Sequence, residues 1–272
     1  MKKIINYPNK KTTLNICEGF TKEFLNNLSN NRKYCIITDS NLYKFYKDLL
    51  TPNNENIFLY ILPAGEQNKS FSNYLDIINT LSANNFNRKD MIISFGGGVI
   101  SDLSLFVAST YQRGMEITLI PTTLLAMVDA SIGGKCGVNH KEYKNQIGTF
   151  YFPCEIIIDL NLLNTLPKDE FNNGFSEIIK YALIKDQEMY YQIINEDYLL
   201  IELIERCIQI KIDIISELYP DFYANLKNTL ENYEMLLFGK LPEGIGQVNT
   251  VQDYKIGRWF LNSCFSAIGG TV

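Results

Sequence analysis

The residues best suited to chemistry lie between positions 91 and 148. The apolar run Met91–Phe95 leads into Gly96-Gly97-Gly98-Val99-Ile100-Ser101-Asp102, after which Leu103, Phe106 and Val107 resume helical spacing. A strand, a glycine turn and a helix start of this kind let a ligand approach the backbone and present free N–H groups to phosphate oxygens. The segment is neither Gly-x-Gly-x-x-Gly nor a phosphate loop, since no Gly-Lys-Ser/Thr follows, and a glycine triplet alone fits a ligand-free turn equally well. Further polar residues follow. Pro121-Thr122-Thr123 closes a strand, Asp129 sits in an apolar helix-like run, and Ser131-Ile132-Gly133-Gly134-Lys135 is a second glycine turn ending in a cation. Gly137-Val138-Asn139 and Lys144-Asn145 continue as loop. Lys135 and Lys144, with Arg113 in Tyr111-Gln112-Arg113-Gly114, can neutralise a dianion, which favours a phosphorylated or carboxylated substrate.

These residues need a frame, and short apolar runs supply one. Lys33–Asp39, Ile57–Leu62, Met91–Phe95, Thr118–Ile120 and Glu155–Ile158 read as strands buried on both faces. Between them Phe71, Tyr74, Leu75 and Ile78 have the spacing of an amphipathic helix. Alternating strands and helices predict an α/β fold with a Rossmann-like parallel sheet over residues 1–167. After Pro167, Glu170–Lys185 and Tyr198–Glu217 carry long helical patterns, which predicts a mainly α-helical domain over 168–272. That domain is atypical after about residue 217, because Leu218–Val272 holds Pro220, Pro242, several glycines and only weak periodicity.

Composition narrows the classes. With 272 residues and 46% hydrophobic content the chain can bury an ordinary core. A net charge of −5 without a dense basic block argues against nucleic acid. No apolar run reaches membrane-spanning length, and the N-terminus lacks a signal-peptide core. Six scattered cysteines without a Cys-x-x-Cys pair suit reduced thiols in the cytoplasm.

The ordered motifs Gly-Gly-Gly-Val-x-x-Asp-Leu, Tyr-x-Arg-Gly, Pro-Thr-Thr-Leu-Leu-Ala, Val-Asp-x-Ser-x-Gly-Gly-Lys-x-Gly-Val-Asn and Lys-Asn-x-Ile-Gly resemble the 3-dehydroquinate synthase family. The resemblance extends back to Gly65-Glu66-Gln67-x-Lys69, forward through Leu166-Pro167 and Ser176–Tyr181, and ends near Ile215. It implies a phosphate-eliminating carbon–oxygen lyase of the shikimate pathway, in aromatic amino acid and chorismate biosynthesis. Such an enzyme converts 3-deoxy-D-arabino-heptulosonate 7-phosphate to 3-dehydroquinate and phosphate. It works by transient oxidation, phosphate elimination, reduction and aldol closure, with NAD and a divalent metal, zinc or cobalt. By matching position, Asp39 and Asn41 would hold the adenosine ribose, and Gly65, Glu66, Gln67 and Lys69 would line the cofactor. Gly97, Gly98, Val99, Ser101 and Asp102 would cradle the pyrophosphate. Thr122, Thr123, Leu162, Leu163, Asn164 and Thr165 would adjoin it, with Lys135 and Lys144 reaching both cofactor and substrate. On the substrate side stand Arg113, Asp129, Lys135, Lys144, Asn145, Lys180 and Lys211, while Glu177 matches the metal carboxylate. The implied partner is a small-molecule sugar phosphate, with a homodimer left open.

Several positions depart from the family. Its two metal histidines have no counterpart, since the chain's one histidine is His140, and Cys207 and Cys264 show no ligand spacing. The metal site is therefore expected to be incomplete. Leu218-Tyr219-Pro220 replaces an acidic pair, Arg258 has no assignable role, and truncation, frameshift and divergence of the last part all stay open. Tyr143 replaces the glycine before Lys144 and would reshape that loop if a positive φ were required there. The alternatives are a catalytically inactive NAD-binding remnant, or a cyclase acting on another sugar phosphate.

Overall fold

A computed structural model describes residues 1–7, 10–51 and 54–216, which fall within one compact unit. Its strands are β1 (Lys2–Tyr7), β2 (Lys10–Cys17), β3 (Tyr34–Asp39), β4 (Ile57–Leu62), β5 (Met91–Gly96), β6 (Glu116–Pro121), β7 (Lys135–His140), β8 (Tyr143–Phe150) and β9 (Glu155–Asp159). Its helices are α1 (Phe20–Asn26), α2 (Ser40–Leu50), α3 (Phe71–Ala83), α4 (Gly98–Thr110), α5 (Lys168–Lys185), α6 (Gln187–Ile194) and α7, over residues 200–216. Among the described residues no helix is long and apolar enough to cross a membrane.

Seven strands form one sheet in the order β1-β2-β9-β6-β5-β3-β4, parallel throughout except for β1 at the edge. The centre of the sheet is apolar on both faces: every residue of β5 is buried, as are five of the six in β3 and in β6. That double burial is what parallel strands covered by helices require. From β3 the chain steps outward to β4, then returns across the sheet to β5 and on to β6. Right-handed crossovers consequently put α2 on one face and α3 and α4 on the other. The carboxyl ends of β3 and β5 therefore flank the point where the winding reverses, which is where open α/β sheets leave a crevice.

The five strands read from sequence all occur, within two residues of their expected ends, and α3 follows the Phe71–Ile78 spacing. Two hairpins add to that reading. β2 buries Thr12, Leu14 and Ile16 at a period of two, with lysine, threonine and asparagine among its residues obscuring the alternation. The stretch expected as loop from Lys135 onward is instead the antiparallel hairpin β7–β8, laid against α4. Tyr143 belongs to its second strand, and the positive φ of 56° falls two residues later, on Asn145. Tyr143 thus replaces a glycine without strain. Helices α5 and α7 match the two long helical patterns, with α6 between them. The stretch Leu218–Val272, with Arg258 and Cys264, lies outside the described residues.

Helix α5 comes close to the Leu124–Leu125 backbone because residue 174 has no side chain. A Cβ on Gly174 would stand 2.5 Å from the Leu125 amide nitrogen and 2.6 Å from the Leu124 Cβ. Alanine is the better helix former by about 1 kcal/mol, yet backbone cannot move aside as a flexible side chain would. Gly174→Ala is expected to destabilise the fold by about 1–3 kcal/mol in urea denaturation. An unchanged or raised midpoint would contradict this packing.

Candidate functional site

The glycine turn sits where the sequence reading puts it. Gly97 is the N-cap of α4, and the Ser101 amide donates to the Gly97 carbonyl at 3.0 Å, closing the first turn. A Cβ on Gly97 would lie 2.9 Å from the Thr123 Cγ2, so this wall admits no larger residue without displacing Thr123. Beside it Thr122 is buried, and its hydroxyl has no hydrogen-bond partner among the described residues. A buried orphan hydroxyl costs free energy unless a ligand or a water satisfies it, and Thr38, Ser94, Ser104 and Ser131 share that condition. Asp39, at the end of β3, accepts from the Asn41 and Leu42 amides at 2.8 and 3.1 Å and so caps α2. Leu162 and Thr165 belong to the short turn Leu160–Thr165, fixed by the Tyr46 hydroxyl, 3.3 Å from the Leu162 carbonyl and 2.8 Å from the Thr165 Oγ1.

A polar knot ties the loop after β4 to α4 and to the hairpin. Lys69 is buried, and its ammonium donates to Asp102 in α4 and to Asn145 in β8. Asn139 Nδ2 donates to Glu66 Oε1 at 2.8 Å, and the Asn139 amide donates to the Lys69 carbonyl at 2.8 Å. Gln67 Nε2 reaches back to the Ala64 carbonyl at 3.3 Å, closing the loop that begins at Gly65. Burial raises the Asp102 carboxyl above its ordinary range, and the Lys69 charge offsets only part of that.

The second cluster gathers where α5 and α7 meet the π-helical turn Ala126–Ala130, which carries Asp129. Lys211 Nζ donates to Asp129 Oδ1 at 2.7 Å and to the Asp129 carbonyl at 2.6 Å, while the Tyr181 hydroxyl donates to the same Oδ1 at 2.5 Å. Burial alone would raise the Asp129 carboxyl, but the Lys211 charge and the Lys211 and Tyr181 hydrogen bonds outweigh it and hold the group below the usual range. Tyr181 is driven the other way, first by burial and then by the Asp129 charge, so its phenol stays protonated and donating. Lys180 pairs with Glu177 one turn earlier on α5 and lies 4.9 Å from the Tyr181 ring centre. Burial, then the neighbouring Lys211, lowers Lys135. Asp129, Lys135, Lys180 and Lys211 are thus one electrostatic group, and Asp102 links it to the Lys69 knot.

Two of the expected residues stand apart. Arg113 is exposed in the turn between α4 and β6, at the end of the sheet opposite the Gly97 turn, and takes a positive φ of 67°. Lys144 is exposed on β8 near the tip of the hairpin. Tyr181 and Asn139, both present in the motifs, were not expected to act at the site. Only their tertiary contacts reveal them, although a tyrosine directly after Lys180 on a helix facing Asp129 is the available signal.

The fit to cofactors is uneven. The Gly97 wall and the orphan Thr122 hydroxyl suit a nucleotide with donor and acceptor groups. The described residues do not suit a metal: no group of three His, Cys, Asp or Glu side chains able to hold one occurs among them. His140 is exposed at the end of β7, the Glu177 carboxylate is taken by Lys180, and burial pushes the Cys207 thiol up to about 12.

Residues 59–173 match the family model for 3-dehydroquinate synthase N-terminal. A 3-dehydroquinate synthase of Dictyoglomus thermophilum is 47% identical over 187 residues, covering 68% of this chain and 52% of that protein. One from Alkaliphilus oremlandii is 42% identical over 189 residues, covering 66% and 52%. The chain spans about half the length of the curated relatives it matches. Among solved structures, 2-epi-5-epi-valiolone synthase from Streptomyces hygroscopicus, with NAD+ and Zn2+ bound, aligns over 81% of this chain and 64% of its own, at TM-score 0.67 and 26% identity. A 2-deoxy-scyllo-inosose synthase complexed with carbaglucose-6-phosphate, NAD+ and Co2+ has the same TM-score at 23% identity, over 79% of this chain and 62% of its own, and shares the fold.

Asp129 should govern how stability depends on pH. Its folded pKa is depressed, so its contribution is present above the ordinary carboxylate range and is lost as pH falls through the lower folded value. Asp129→Ala is expected to cost about 3–5 kcal/mol at neutral pH, because it strands a buried ammonium, and the gap to wild type should narrow in acid. Adding Lys211→Met should restore part of the loss. Denaturation across pH, with the double-variant cycle, checks this; a gap independent of pH, or strictly additive losses, would contradict it.

Proposed function

Starting from a chain whose residues 59–173 match the 3-dehydroquinate synthase N-terminal model, we propose that it binds NAD at the crevice between β3 and β5 and a carboxylated sugar phosphate at its lysine cluster. The proposed reaction is that of the relatives, conversion of 3-deoxy-D-arabino-heptulosonate 7-phosphate to 3-dehydroquinate and phosphate. The observation that carries this reading is the contact of Lys211 and Tyr181 with Asp129, with Lys180 4.9 Å from the Tyr181 ring and Lys135 close enough to feel the same charges, near the helix α4 that the glycine turn starts.

In this reading Gly97, Gly98 and Val99 offer the start of α4 to the pyrophosphate, and the Thr122 hydroxyl gains the partner it lacks. Asp39 and Asn41 meet the ribose. NAD bound there supplies a hydride acceptor for a substrate hydroxyl and returns the hydride later. Lys135, Lys180 and Lys211 neutralise the carboxylate and phosphate, and Asp129 fixes the Lys211 ammonium. The valiolone synthase carries Zn2+ as well as NAD+, but the donor set among the described residues does not suit a metal, so no role is assigned to one. That mismatch favours a second reading, in which the chain keeps both ligands and does not turn substrate over.

Phosphate release from the heptulosonate phosphate, followed with NAD present and zinc or cobalt added, separates the two. Release supports the synthase reading. NAD binding without release at any metal loading supports the second. Thr122→Val is expected to leave the urea midpoint unchanged and to weaken NAD about tenfold, the loss of roughly 1.4 kcal/mol in one hydrogen bond. Unchanged NAD affinity would remove Thr122 from the cofactor site.

A further inference from the structure

We propose that the anion site of this chain operates without a divalent metal, its positive charge being supplied entirely by lysine ammonium groups. The inference rests on the reading of the lysine cluster as the substrate's anion site, and it concerns what neutralises the ligand there. A catalytic zinc takes three protein ligands and leaves one position open. The 272 residues hold a single histidine, His140, and it is exposed at the end of β7. Among the described residues no set of three donors converges.

The carboxylate that matches the metal ligand already has a cation. Glu177 and Lys180 are paired side chains on adjacent turns of α5, with relative exposures of 22% and 20%, so neither is freely solvated. The nearby carboxylate Asp129, at 13%, is bound by Lys211 and Tyr181. Lys135, which senses the charges of Lys180, Lys211 and Asp129, completes the group. These three ammonium groups face Asp129 and Glu177, while the nearby Asp102 is paired with Lys69, so four ammonium groups and three carboxylates leave one net positive charge. Adding a divalent cation would bring it into a partly desolvated site that is already positive, where like charges several ångströms apart repel more strongly than in water. Adding a phosphate dianion relieves that repulsion instead. Lys180 thus occupies the electrostatic place of a metal at Glu177, and it can donate a hydrogen bond to a ligand oxygen.

The test uses the full chain, stripped with EDTA and dialysed. Its metal content is measured after equilibration with Zn2+, Co2+ or Mn2+, and binding of inorganic phosphate and of NAD is measured by calorimetry with and without EDTA. The expected result is substoichiometric metal in every case and a phosphate affinity that EDTA leaves unchanged. Lys180→Met and Lys211→Met should each weaken phosphate about tenfold or more, as loss of a charge-assisted contact implies. One metal per chain that Glu177→Gln abolishes would overturn the proposal, as would phosphate binding that appears only with metal; both leave the anion-site reading standing. Absence of phosphate binding under every condition would overturn that reading and the proposal with it, whether or not NAD still binds.

Discussion

One buried carboxylate joins the two halves of the described molecule. Asp129 stands on a π-helical turn beside the sheet, and both of its long-range partners come from helices beyond residue 167: Tyr181 on α5 and Lys211 on α7. Buried ion pairs stabilise little in net terms, because desolvation consumes most of the Coulomb gain, but removing one partner is costly. The junction therefore specifies geometry more than it adds stability. It fixes where the helices meet the sheet, and with them Glu177, Lys180 and the cation set. Gly174 provides the complementary steric condition by letting α5 approach the Leu124–Leu125 backbone.

The sheet contributes the other constraint. Parallel strands wound in both directions leave their crevice at the carboxyl ends of β3 and β5, and the glycine turn opens there. The Lys69 knot then binds the hairpin β7–β8 to α4, so Glu66, Lys69, Asp102, Asn139 and Asn145 are held in one cluster.

Much of this was legible in the sequence, for identifiable reasons. Strands buried on both faces are continuous apolar runs, so β3, β4, β5, β6 and β9 could be read directly, and the Gly96–Asp102 turn marked the start of α4. The hairpin β7–β8 was not legible. Seven of the eight residues of β8 are exposed and most are polar or glycine, which gives no period-two signal, and its placement depends on tertiary contact with α4 and Lys69. Tyr181 was hidden for a different reason: on a helix a tyrosine reads as core, and only Asp129, 52 residues away in sequence, gives its hydroxyl a purpose. Arg113 shows the reverse case. The length of α4 carries this cation to the opposite end of the sheet from the glycine turn, a placement that the Tyr-x-Arg-Gly spacing does not encode.

The central claim is that nucleotide binds at the carboxyl-end crevice formed by the glycine turn and its neighbours. Hydrogen–deuterium exchange of the full chain, with and without NAD, measures this residue by residue. NAD is expected to slow exchange at the amides of Gly97–Asp102, Thr122–Thr123 and Asn41–Leu42, while the turn at Tyr111–Gly114 remains unchanged. No protection at the glycine turn under saturating NAD, or protection confined to the opposite end of the sheet, would contradict it.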